Sequence, residues 1–258
     1  MEIGIGSWSL RDLIRSRELS LVDFPRFVRE EFDVKYVELS QQHFDSWDSQ
    51  YLNKIRQSLD KAGVSVINVP VDLGDISNPA DHERQHDLKL LELWIDIAAY
   101  LGSSAVRVNT GRHQDEAGFG RVVGSLRQLA DYSAERDIVL VLENHGGISS
   151  DPASIKRLFE EVGRPNFRSC PDFGNFAEEK RLEGLRVISQ YAFLAHAKTY
   201  DFLPNGEFTA FDFEACMKVL RESGFDGVLS VEFEGKGDQV FGVKKSIELI
   251  RNTWEPQR

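Results

Sequence analysis

Short apolar, β-branched runs alternate with amphipathic stretches along the whole chain. The runs at residues 3–8, 34–39, 64–69, 105–109, 138–143, 167–172, 192–197 and 228–233 read as strands, one about every 30 residues. Between them apolar positions return at helical spacing, as in Phe24, Phe27, Val28 and Phe32, or Leu88, Leu91, Trp94, Ile95, Ala98 and Leu101. Lys-Ala-Gly at 61–63, Leu-Gly at 101–102 and Ser-Gly at 223–224 each stop a helix just ahead of a strand. Strands separated by helices pair in parallel through right-handed crossovers. Eight such units predict an α/β fold, a closed (β/α)8 TIM barrel with outer helices; an open doubly wound sheet is the alternative. No linker or low-complexity run divides the chain, so one barrel domain over residues 1–258 is expected.

Composition narrows the partners. With 41% hydrophobic and 28% charged residues the 258-residue chain can bury a large core. Its 31 Lys and Arg stand against 42 Asp and Glu, a net charge of −11 that disfavours nucleic acid and anionic lipid. A local cationic pocket for a phosphorylated small molecule is still compatible with that balance. Cys170 and Cys216 are too few for a disulfide framework and suit a reducing compartment. The start, Met-Glu-Ile-Gly-Ile-Gly, has neither the basic nor the apolar region of a signal peptide, and no apolar run approaches the roughly 18 residues of a membrane span. A cytoplasmic protein with no nucleic-acid or membrane partner is the expectation.

In such a barrel chemistry gathers at the carboxyl ends of the strands. Strand five runs Ile-Val-Leu-Val-Leu into Glu143, strand six ends in Asp172, strand seven carries His196 and strand eight ends in Glu232. A carboxylate after five apolar residues is costly to bury unless something positive meets it. Three carboxylates and one imidazole on successive strand ends form an oxygen-rich set suited to one divalent ion. Mn²⁺ or Mg²⁺ is favoured, with Co²⁺ or Zn²⁺ as alternatives. Structural zinc would want cysteines, and neither fits: Cys170 lies below Asp172 on the same face and Cys216 falls in a helix.

Further polar residues are expected near this end. His145, two after Glu143, faces the pocket if the strand continues, as a base, a leaving-group acid or a substrate contact; otherwise it is a loop histidine bonded to backbone. Lys198, two after His196, points inward to bind a substrate hydroxyl, carboxylate or phosphate, or else snorkels at the rim. Glu38, Asn68, Arg107 and Asn109 are inward candidates on the first four strands, and Glu38 has the option of pairing with Arg107. His43 and His113 follow strands two and four; either contacts substrate, although a solvated loop is the simpler expectation for both. Trp8 and Trp47 are candidate apolar walls for a substrate ring, with core packing the simpler role for Trp8. His82 and His86 sit four apart in a charged stretch without a zinc-protease motif and read as a solvated helix start. Gly4 and Gly6 belong to a strand, and no phosphate loop, nucleophile elbow or dinucleotide fingerprint is present.

Four segments carry a family resemblance: Leu-Glu-Asn-His-Gly-Gly (142–147), Pro-Asp-Phe-Gly-Asn (171–175), His-Ala-Lys-Thr-Tyr (196–200) and Ser-Val-Glu-Phe-Glu-Gly (230–235). In this order they resemble the xylose isomerase-like sugar isomerase/epimerase superfamily, over residues 3–250. That group includes ketose 3-epimerases, inosose dehydratases, hydroxypyruvate isomerases and, more remotely, endonuclease IV. The resemblance implies one divalent ion held by Glu143, Asp172, His196 and Glu232. It also implies that Glu143 and Glu232 move protons to and from a metal-stabilised enediolate of a sugar or sugar derivative. Arg107 falls where the family often hydrogen-bonds a ligating carboxylate, and Asn175 falls in a motif serving substrate or turn. Glu-Asn-His-Gly-Gly departs from the ketose 3-epimerase pattern, which brings His145 forward. The expectation is a metal-dependent isomerase or epimerase of a small carbohydrate. A lyase, dehydratase or deglycosidase acting on a keto-sugar or inosose is the alternative. Endonuclease IV-like cleavage is set aside, because it needs three zinc ions and this chain has six histidines and an acidic charge. A non-catalytic partner subunit is disfavoured by the intact ligand set. The resemblance further suggests a homodimer or homotetramer.

Overall fold

The computed structural model describes residues 1–254. Eight parallel strands order as β1 (Glu2–Gly6), β2 (Tyr36–Glu38), β3 (Ser65–Pro70), β4 (Ala105–Val108), β5 (Val139–Glu143), β6 (Phe167–Cys170), β7 (Leu194–Thr199) and β8 (Val228–Phe233). Sequential neighbours pair, and β8 returns to pair with β1 through Glu2–Val228 to Ile5–Val231. The remaining seam, between β6 and β7, is held by two single bridges, Ser169–Ala192 and Asp172–His196. A (β/α)8 TIM barrel results, as the periodicity predicts. The helices around it are α1 (Arg11–Arg15), α2 (Phe24–Phe32), α3 (Ser49–Ala62), α4 (Asp81–Tyr100), α5 (Glu116–Ala134), α6 (Pro152–Val162), α7 (Arg181–Ile188), α8 (Phe213–Glu222) and α9 (Gln239–Trp254).

Local chemistry explains the boundaries. Helix α3 starts where the Asp48 carboxylate accepts the Tyr51 N–H at 2.9 Å. It stops at Gly63, whose φ of 63° is left-handed, and the chain turns straight into β3. Several strands are shorter than the apolar runs. Beyond Gly6 the chain tightens into a 3₁₀ turn, Ser7–Leu10, so Trp8 is not a strand residue. Strand β6 ends at Cys170, two residues ahead of Asp172, because Pro171 lacks the N–H that would continue the ladder. β7 begins later than expected and runs on to Thr199, which brings Lys198 within the strand.

Two packed regions stabilise the fold. The larger lies between barrel and helices and holds Phe24, Trp94, Leu140, Leu142, Phe173 and Ile247 among many others. The smaller fills the barrel with Ile67, Ala105, Val141, Cys170 and Leu194. Strand alternation then sets what stands one pleat higher: above Ala105 is Arg107, above Val141 is Glu143, above Cys170 is Asp172 and above Leu194 is His196. β3 breaks this alternation. Its register against β2 shifts so that Val37 faces Val66 while Glu38 faces Asn68, which turns Asn68 inward even though Ile67 already fills the interior. No helix among the described residues is long and apolar enough to cross a membrane.

Candidate metal centre

The layer above the apolar plug is polar on every strand but the first. Glu38, Asn68, Arg107, Glu143, Asp172, His196 and Lys198 are all buried there, and the Glu232 side chain is 14% exposed. One ligand atom from each of Glu143, Asp172, His196 and Glu232 lies within 4.8 Å of the others. Among the described residues this is the one such convergence of three or more metal-competent side chains. His196 Nδ1 stands at the centre, 3.1 Å from Glu143 Oε1, 3.6 Å from Glu232 Oε2 and 3.8 Å from Asp172 Oδ2.

Each ligand is oriented by groups the sequence places nearby. The Asn144 side-chain amide donates to the Asp172 carbonyl at 2.9 Å and accepts the Asp172 N–H at 2.7 Å, bridging the gap where β6 has ended. Asp172 Oδ1 accepts the N–H groups of Gly174 and Asn175, both at 2.8 Å. Its Oδ2 is thereby left facing the cluster with no hydrogen-bond donor. Gly174 is required by close approach, since a Cβ there would sit 2.7 Å from Lys198 Cδ. The far ring nitrogen of His196, Nε2, is 3.0 Å from Glu38 Oε2, and Asn68 donates to the same oxygen at 2.7 Å. A carboxylate on the back of a ligating imidazole fixes its tautomer and raises its basicity. Asn175 donates to Glu143 Oε1 at 3.0 Å and accepts from Lys198 at 2.8 Å, so it ties two site residues together.

Arg107 and Lys198 are the fixed cations. Arg107 Nε lies 3.1 Å from Glu143 Oε2, close but poorly aligned for a hydrogen bond, and its Nη1 binds Asp72. Lys198 Nζ lies 3.1 Å from Glu232, 3.4 Å from Glu234 and 3.5 Å from Asp172. Burial would raise Glu143 and Glu232, but Arg107 and His196 pull the first down, and Lys198 and His196 the second, so both stay ionised. Asp172 is driven the other way by burial and by Glu232 and Glu143 beside it. Carboxylates so crowded are short of positive charge. Buried Oδ2 of Asp172 and Oε2 of Glu232, with Lys198 near both but no aligned hydrogen bond to either, converge with an imidazole nitrogen and fit a hard divalent ion held by oxygen-rich ligands. Burial pushes the Cys170 thiol up to about 12, so it adds no thiolate to the set.

A cavity of about 300 Å³ opens above these ligands. Trp8, Glu38, Asp72, Arg107, Asn109, His145, His196, Glu232 and Glu234 are in its wall. Trp8 is therefore a wall residue rather than core packing: its indole N–H donates to Glu234 at 2.9 Å and its ring stacks on His43. His43 is not a solvated loop residue. It is buried against Ser7, and burial, followed by the charges of Arg15 and Arg11, lowers its pKa to about 4. Trp47 does not approach the cavity; it is 58% exposed and packs edge-on against Trp94. His113 also stands apart, 3.8 Å from Asp75 with its side chain 43% exposed. Asn68 is not in the wall and acts on Glu38. The Glu38–Arg107 pair does not form, because Glu38 is engaged by His196 and Asn68 and Arg107 by Glu143 and Asp72. β5 stops at Glu143, and His145 reaches the cavity wall from an exposed loop. Asp72, Asn144 and Glu234 are additions that the sequence reading missed. Alternation from Glu232 predicts Glu234 on the same side. Asp72 follows the irregular end of β3, and Asn144 acts through backbone groups that residue type alone does not point to. Three larger hollows, about 540, 610 and 360 Å³, contain none of these residues.

A family model described as "Xylose isomerase-like TIM barrel" matches residues 29–253. Among curated proteins none matches this sequence. Of solved structures, D-psicose 3-epimerase with D-tagatose from Clostridium cellulolyticum H10 aligns with a TM-score of 0.79 at 13% identity, over 99% of this chain and 100% of that one. The 3-keto-D-glucoside 4-epimerase of E. coli aligns with a TM-score of 0.76 at 17% identity, over 98% and 99%. A structure described as a probable 3-DHS dehydratase from Bacillus anthracis gives 0.74 at 17%, over 98% and 100%. At such identities the likeness establishes the barrel, and the chemistry rests on the site.

Proposed function

This chain belongs to the xylose isomerase-like TIM-barrel family, and from that premise we propose that it is a divalent-metal-dependent isomerase or epimerase of a sugar or sugar derivative. The convergence of Glu143, Asp172, His196 and Glu232 carries the reading. A divalent cation bound there would polarise a substrate carbonyl and acidify the neighbouring C–H. Glu143 and Glu232 stand on β5 and β8, three strands apart around the barrel, so they approach a substrate from different directions. Both are held ionised, the form that can accept a proton. In an epimerisation one would take the proton and the other, after taking a proton from solvent, would deliver it to the opposite face; in an isomerisation the protonated first glutamate would give its proton to the adjacent carbon. Asn175 and Lys198 connect the two carboxylates and hold them at fixed separation. Epimerases among the structural neighbours support this reading over others.

A second reading is favoured by one observation. His145 is in the cavity wall, and no hydrogen bond to its ring nitrogens is found among the described residues, which leaves an imidazole free to protonate a leaving group. That is the need of a lyase, dehydratase or deglycosidase, and a dehydratase is among the neighbours. Deuterium decides between the two. Metal-loaded protein incubated in D₂O with a panel of ketoses and 3-keto sugars is expected to place deuterium at the carbon beside the carbonyl. In an isomerase His145→Ala lowers exchange and product together, by less than about 10-fold. In a lyase the same variant keeps exchange and loses product by about 100-fold, within the range for a general acid. No exchange with any of these compounds, with metal bound, contradicts both.

A further inference from the structure

Arg107 in the cavity wall and Lys198 in the adjoining ligand cluster are the two fixed cations, and both are already engaged. Arg107, 4% exposed, faces Glu143 on one side and Asp72 on the other, and also donates to Asn109 at 2.9 Å. Lys198, 2% exposed, has Glu232, Glu234, Asp172 and the Asn175 amide oxygen around an ammonium with three donors. Glu38, Asp72, Glu232 and Glu234 line the cavity and Glu143 and Asp172 complete the ligand cluster beside it, six carboxylates against two cations. Even with a divalent ion in place the site keeps an excess of two negative charges, most of them on buried or half-buried side chains where screening is weaker than in bulk water. We propose that the site selects an uncharged polyhydroxy carbonyl compound and rejects its phosphate ester or carboxylate, with Asp72 and Glu234 imposing the choice.

These two residues are not needed to hold the ion. Each pairs with one of the cations and is nearer solvent, the Asp72 and Glu234 side chains being 23% and 30% exposed against 4% and 3% for Arg107 and Lys198. Asp72 is pinned there by Gln42 and Asn109, both donating to its carboxylate at 2.9 Å. Glu234 is pinned by the Trp8 indole N–H at 2.9 Å. An anionic group entering the cavity meets carboxylate oxygens before it reaches either cation. An uncharged sugar meets what it needs: acceptors on Asp72 and Glu234, the amides of Gln42 and Asn109, and the flat face of Trp8 for its C–H surface. The argument for a carboxylated substrate, such as the dehydratase reading allows, is weakened by the same charges.

The inference rests on the sugar reading above, and the test separates their failures. Calorimetric titration of metal-loaded protein compares D-fructose, D-tagatose, D-psicose and L-ribulose, each with its own phosphate ester, alongside deuterium exchange. At least one free ketose is expected to bind or exchange, and every ester to bind at least about 10-fold more weakly than its parent. Asp72→Asn with Glu234→Gln is expected to raise the ester-to-parent affinity ratio by about 10-fold or more, as is Glu234→Gln alone to a smaller extent. An ester that binds more tightly than its parent, or a ratio unmoved in both variants, overturns the charge selection while leaving the enzyme a sugar isomerase. No binding and no exchange with any ketose or ester, metal being bound, overturns the sugar reading and this one with it.

Discussion

Glu232→Gln is expected to lower solvent-deuterium incorporation and turnover by about 10³-fold, within the range that positioned proton transfer contributes. Glu143→Gln is expected to do the same. The amide keeps the shape of each side chain and an oxygen for the ion, but removes the basic lone pair. Each glutamate is held ionised against burial by a defined set of neighbours, Arg107 and His196 for Glu143, Lys198 and His196 for Glu232. Ionisation is what a ligand and a proton acceptor both require, so activity and bound metal have to be read separately. Bound metal, measured in the same preparations, is expected to fall by much less than activity. Turnover within about 10-fold of the parent in either variant contradicts the assignment of the proton-transfer pair.

Arg107→Met is expected to destabilise the metal-free protein by about 3–5 kcal/mol, the usual result of stripping one partner from a buried ion pair. Arg107 is 4% exposed, Glu143 is 1% exposed, and the guanidinium is the link between that carboxylate and Asp72. Its removal leaves Glu143 with Asn175 and His196 as polar contacts. Denaturant unfolding at neutral pH in chelator reads the loss. Adding Glu143→Gln to the same chain is expected to return part of it, because the stranded charge is then gone. A loss below about 1 kcal/mol, or no recovery in the double variant, contradicts the pairing.

Much of this was legible in the chain, and the exceptions have physical causes. The strand-and-helix alternation predicts parallel strands buried on both faces, and eight such units in about 250 residues favour closure into a barrel over an open sheet. Glu143, Asp172, His196 and Glu232 stood out because a charge at the end of an apolar run is costly without a partner, and the structure brings all four together. Lys198 was legible as inward by alternation from His196, but not the three carboxylates that surround it. Asn68 is inward as the sequence suggests, but through a register shift in β3 that alternation does not predict, and it serves Glu38 rather than the cavity wall. His43 misled because its loop folds back under Trp8, a tertiary contact no spacing encodes. Asp72 and Asn144 act through irregular backbone just past strand ends, where periodicity has already stopped.

The central claim is that one divalent ion belongs among Glu143, Asp172, His196 and Glu232. Protein stripped of metal and titrated with Mn²⁺, with bound and free ion counted, tests it most directly. The account predicts saturation at about one ion per chain, weakened about 10-fold or more in Asp172→Asn and in His196→Ala, each of which lacks one ligand. No saturable site in the parent protein, or full occupancy in both variants at unchanged affinity, would contradict it.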